Sequence, residues 1–85
     1  MKKTANFHKV PVKDIEGKIV EEDIHAVLGN LMYMRGQSIE ECETGSAIYH
    51  AEGDVELDEK QVAAVRRFAE GYPYVLRTAI EGMLA

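Results

Sequence analysis

Four side chains in this sequence have the chemistry of soft metal ligands or of a nucleophile with its base: His8, His25, Cys42 and His50. Seventeen positions separate His25 from Cys42 and eight separate Cys42 from His50. Neither interval puts two ligands on one turn, as the C-x2-C and H-x3-H pairs of structural zinc sites do. The spacing predicts no metal site, and the histidines read as surface residues. A hard-cation loop is not expected either. Asp54-Val55-Glu56-Leu57-Asp58-Glu59 alternates acidic with apolar residues and lacks the central glycine of a calcium loop. Cys42 as a nucleophile, with His25 or His50 as base, would need a thiolate, and Glu40, Glu41 and Glu43 around it disfavour one. It reads as a small core residue. Neither G-x-x-x-x-G-K-S/T nor G-x-G-x-x-G occurs, so no phosphate cradle is encoded. No catalytic, cofactor-binding or metal-binding residue is expected, and the chain reads as a non-enzyme without cofactors.

Charge is segregated along the chain. Twelve acidic residues lie between Glu16 and Glu59 against only Lys18 and Arg35, while both ends are slightly basic, and the net charge is −5. Arg66, Arg67 and Arg77 with Lys60 form the one candidate basic patch, but the acidic remainder would repel a polyanion, so direct nucleic-acid binding is not expected. An acidic surface can instead imitate a DNA backbone. Part of the acidity has a local explanation, because Asp23, Glu40, Glu41, Asp58 and Glu59 fall at expected helix N-termini, where free amides favour negative charge.

The elements that would position these residues follow from periodicity. Phe7 to Lys13 and Lys18 to Glu21 read as two strands around a turn at Asp14-Ile15-Glu16-Gly17, with Pro11 at an edge position. From Asp23, taken as an N-cap, Ile24, Val27, Leu28 and Leu31 fall at helical spacing, and Gly36 ends that helix. Ser38-Ile39-Glu40-Glu41 is a capping box opening a second helix through Ile39, Cys42, Ile48 and Tyr49, in which Gly45 marks either a break or a close helix crossing. Asp58-Glu59-Lys60-Gln61 opens a third, with Val62, Val65, Phe68 and Ala69 on one face. Pro73 starts a fourth, striped by Val75, Leu76, Ala79, Ile80 and Met83. The expected fold is α+β, mostly α: an N-terminal β-hairpin on a small bundle of about four short helices. One domain spans 1–85, with residues 1–6 disordered, the hairpin over 7–21 and helices over 23–85.

No apolar run is long enough to cross a bilayer, no signal core follows Met1, and a single cysteine allows no internal disulfide; a cytoplasmic protein without membrane contact is expected. Leu31-Met32-Tyr33-Met34 places four large side chains in succession, so at least one must leave the core, and Tyr72 and Tyr74 flank Pro73 at a helix junction. Tyr33, Met34, Tyr72 and Tyr74 are the candidate interaction surface.

Val12-Lys13-Asp14-Ile15-Glu16-Gly17-Lys18, the helix end Ala47-Ile48-Tyr49 and the segment Val55 to Gln61 leading to Phe68 together resemble short uncharacterised proteins of bacteriophage and prophage genomes. That resemblance implies a virion-assembly accessory or other small adaptor. The expected function is a non-catalytic protein-interaction or structural accessory module, working through a protein partner or self-association. The alternative is an acidic DNA mimic or regulator of a nucleic-acid-binding protein.

Overall fold

In the computed structural model, which describes residues 2–85, the elements run β1 (Lys3–Ala5), β2 (Val10–Lys13), β3 (Ile19–Glu22), α1 (His25–Arg35), α2 (Ile39–His50), β4 (Val55–Leu57), α3 (Glu59–Ala69) and α4 (Tyr74–Leu84). The architecture is mostly helical α+β, with the β2–β3 hairpin packed against four short helices. The hairpin turn is closed from within. Asp14 Oδ1 accepts from the amides of Glu16 at 2.9 Å and Lys18 at 2.8 Å. Gly17 takes the left-handed conformation, with φ of 86°, that a side chain would disfavour. Val12 pairs with Val20 and Lys13 with Ile19, and β2 turns Val10 into the core while all of β3 stays exposed.

Residues 3–5, expected to be disordered, form a strand. β1 pairs antiparallel with β4, Lys3 opposite Leu57 and Ala5 opposite Val55, in a second two-stranded sheet. Its inner face buries Ala5 and Leu57 against the core. Three residues are too few for a period-two signal, and the pairing energy comes from a strand fifty or more positions away, which is why local pattern does not announce it.

Helix caps follow the sequence in two places and depart from it in two. Asp58 and Gln61 form the full reciprocal box at the start of α3, and Pro73 immediately precedes α4. Asp23 is not the N-cap of α1: Ile24 holds that position without a side-chain bond. Asp23 sits one residue earlier and accepts from the His25 amide at 3.3 Å. At α2, Ser38 accepts from the Glu41 amide at 3.2 Å, but the Glu41 carboxylate goes to the Gln37 amide at 2.8 Å and to Arg67 of α3 instead of back to Ser38. The tertiary cation outcompetes the local cap.

The faces of α1 and α2 are rotated from the expected ones. Val27 is 64% exposed and Ile39 75%, whereas α1 buries Leu28, Gly29 and Met32 and α2 buries Glu41, Thr44, Gly45 and Ile48. Two glycines cause this. A Cβ built on Gly29 would lie 2.7 Å from the Gly45 carbonyl oxygen, and one on Gly45 would lie 2.6 Å from the Gly29 oxygen. The helices therefore cross backbone to backbone. The close-crossing alternative for Gly45 is the one the molecule adopts. Thr44 directs its hydroxyl to the Glu40 carbonyl at 2.7 Å, which lets a polar side chain occupy a fully buried position. The helices α3 and α4 follow their predicted stripes more closely, with Val62, Val65, Ala69, Ile80 and Leu84 buried and Leu76, Ala79 and Met83 packed beside them. Val75, 48% exposed, lies at the stripe's margin.

Candidate functional site

The hairpin brings its two ends together, and with them two histidines. Phe7, before β2, accepts at its carbonyl from the amide of Ile24, after β3, at 2.8 Å, and both side chains are buried in the core. The neighbouring residues on the two segments, His8 and Asp23 with His25, consequently form one cluster. The imidazoles of His8 and His25 stack with centroids 3.6 Å apart and planes 19° from parallel. Asp23 Oδ1 lies 2.5 Å from His25 Nδ1, and Asp23 Oδ2 lies 3.5 Å from His8 Nδ1. One ligand atom from each residue falls within 4.8 Å of the other two. On the far side of His8, Nε2 meets the carbonyl of Ala51, the C-cap of α2, at 2.7 Å. Beyond His25 stand Tyr49, with ring centroids 6.3 Å apart, and then His50, edge-on to Tyr49.

The Asp23 carboxyl is held below its ordinary value of 3.8, chiefly by the hydrogen bond from the His25 ring, with the His25 amide and the nearness of the two imidazoles adding to it. It is therefore an anion at neutral pH. Reading the histidines as separate surface residues is corrected here for His8 and His25, which are only about a quarter exposed. Ligand spacing along one turn does not detect this group, because its members come from opposite ends of a hairpin. The legible signal is a histidine at the start of the predicted hairpin and an Asp-x-His just after its end. His50 and Cys42 stay outside the cluster; the Cys42 thiol is half-buried against the Tyr33 carbonyl, at 3.5 Å.

The candidate interaction residues line different depressions, and one of them turns inward. Tyr33 and Met34 are exposed on α1, but Tyr33 borders a depression with Gly29, Asn30, Ser46 and Tyr49, while Met34 borders another with Val27, Leu31 and Arg35. Tyr74 lines a third, between α4 and the outer face of β2, beside Pro11, Lys13 and Val75. Tyr72 turns inward: it packs against the core, and its hydroxyl is buried without a hydrogen-bond partner, which pushes its pKa up through desolvation. Apolar exposure that the aromatic count missed lies on the hairpin. Ile15 at the turn is fully exposed, and Ile19 and Val20 on β3 are 61% and 44% exposed.

No family model, curated protein or solved structure matches the chain. The chemistry of these surfaces is thus read from the residues alone. Among the described residues no helix is long and apolar enough to cross a membrane. The arginines of the expected basic patch are mostly engaged: Arg66 pairs with Glu81 at 3.1 Å, Arg67 with Glu41, and Arg77 lies over the Tyr74 ring at 5.5 Å.

Proposed function

We propose that this protein is a small non-catalytic interaction module, which takes an extended segment of a protein partner along the outer edge of β3. The observation that carries this reading is the hairpin itself. β3 pairs only with β2 among the described residues, so its other edge offers a row of amides and carbonyls to any incoming strand. Two strands alone are marginal in water, and a third would complete the sheet. Ile19 and Val20 supply apolar contacts on the two faces of such a strand. The exposed carboxylates of Glu21 and Glu22 continue the edge, which favours a partner segment that alternates apolar with basic residues. A second copy of β3 would bring the same acidic pair and no cation to meet it, so self-association is the weaker occupant. An assembly or adaptor role, as the resemblance to bacteriophage proteins implies, accords with an edge that waits for a strand. The DNA-mimic alternative has less support, because Asp14, Asp23, Glu41 and Asp58 are engaged in turns, caps and ion pairs within the molecule.

The test is a synthetic peptide alternating valine and lysine, added to the isotope-labelled protein and followed by amide shifts and hydrogen exchange. Slowed exchange over residues 19–22, lost in the Ile19→Lys/Val20→Lys variant, is the expected result. Sedimentation over a wide concentration range that finds only monomer, together with β3 amides unmoved by the peptide, rules the reading out.

A further inference from the structure

We propose that His8, Asp23 and His25 form a binding site for a borderline divalent transition ion of the zinc type, built at the base of the hairpin. The argument begins with the proton on His8. A carbonyl oxygen can only accept, so the 2.7 Å contact with Ala51 requires a hydrogen on Nε2. In the neutral ring Nδ1 then carries a bare lone pair, and that lone pair faces the Asp23 carboxylate at 3.5 Å. Two electron-rich atoms so placed call for a cation between them. The other carboxylate oxygen accepts the Nδ1 hydrogen of His25, and a metal ion that displaces this proton gains a third ligand atom at the same position. Two imidazoles and one carboxylate suit zinc, cobalt or nickel better than calcium or magnesium.

The surroundings have the form that metal-binding histidines use. A backbone carbonyl on the distal nitrogen fixes the tautomer and raises the basicity of the ligating one. Three ligand atoms within 4.8 Å of one another must draw in to the separation of about 3.3 Å that tetrahedral bonds of about 2.0–2.1 Å require. The stacked rings must splay by rotation about χ2 to aim both nitrogens at one centre, and that torsion is soft for histidine. The scaffold beneath is firm, since the Phe7–Ile24 backbone bond and two buried side chains hold both segments. The helix fields have opposite signs here: the positive end of α1 opposes a cation at His25, while the negative end of α2, through Ala51, favours one at His8. With three protein ligands, at least one coordination position stays open to water or to a donor from a partner. This inference stands apart from the strand-addition reading, since it uses none of the β3 edge.

Calorimetric titration of the protein with zinc sulfate, and with cobalt followed by its visible absorption, tests the site. One equivalent bound is expected. His25→Ala and Asp23→Asn should each weaken binding at least tenfold, while His50→Ala and Cys42→Ala leave it unchanged. Should His8→Ala fail to fold, the wild-type imidazole resonances decide: zinc-induced shifts at His8 and His25 support the site. No heat and no shift, or binding that disappears in the His50→Ala or Cys42→Ala variant while persisting in His25→Ala, overturns it. So does a protein in which only protons, and no metal, move these resonances.

Discussion

The α1–α2 crossing and the β2–β3 hairpin solve the problem of holding two segments together in opposite ways. At the crossing, side chains have been removed: Gly29 and Gly45 let the two backbones touch, and contact is close enough that not even a methyl group fits. At the hairpin, side chains are present but unfilled by neighbours, and β3 leaves Ile19 and Val20 largely in water. The first region has no room for change, whereas the second has apolar surface in search of a neighbour. The difference teaches where stability and recognition reside in a chain this small. Close backbone packing of helices supplies dispersion contacts without large residues, which leaves the limited stock of branched side chains free for an exposed edge.

The largest effect should come from filling the crossing. Gly45→Ala places a methyl 2.6 Å from the Gly29 oxygen and 2.7 Å from the Met32 Cβ, so the helices must separate. A loss on the order of 3 kcal/mol is expected, which in a domain of this size lowers the melting midpoint by roughly 12–24 °C. A thermal melt followed by circular dichroism checks it, and a variant as stable as the parent would deny the crossing.

Next in size is the link from α2 to α3. Glu41 is buried, and its carboxyl is held below its ordinary value of 4.5, first by the hydrogen bonds from Arg67, then by the Gln37 amide. A depressed carboxylate stabilises the fold above its unfolded value and loses that contribution as pH falls through its lower folded value. Arg67→Ala should therefore destabilise clearly at neutral pH and progressively less below pH 4.5, as urea unfolding at several pH values would measure. An acid-independent deficit would mean that Arg67 acts through packing alone.

Glycine position, not glycine content, is the point of the comparison, and Gly82 sharpens it. A Cβ there meets nothing within 4 Å, and the residue lies within α4. Gly82→Ala should stabilise by about 0.5–1 kcal/mol, the opposite sign to Gly45→Ala in the same assay. Smallest of all is the effect of the hairpin variant Ile19→Lys/Val20→Lys on stability. Exposed positions away from caps and cores change it by about 0.5 kcal/mol or less, so urea midpoints should barely move while peptide binding is lost.

The same contrast explains how much of the molecule can be read from its residues. The hairpin, its Gly17 turn, the Asp58 box and the stripes of α3 and α4 are local or periodic, and local rules find them. The buried faces of α1 and α2 are not periodic in hydrophobicity, because glycine, threonine and glutamate occupy the interior while Val27 and Ile39 face out. Hydropathy cannot mark a contact made by missing side chains. The strand β1 escapes for another reason, since its partner lies beyond two helices and the hairpin, about fifty residues along the chain. Of the histidine cluster, each member is visible but the association is not, because it depends on the hairpin returning the chain to its own starting point. Tyr72 carries the opposite lesson: its type suggests a surface, yet it packs partly buried against the core.

The Gly29–Gly45 contact also acts as a fingerprint for kinship. Surface residues of this chain can drift freely, and core residues can exchange for others of like volume, so ordinary similarity between distant descendants fades. Two positions that admit no side chain cannot drift in that way. A relative with the same helix pair should keep a glycine in each helix at matching depth, with a strand-turn-strand ahead of the first, even where almost nothing else in the two sequences aligns.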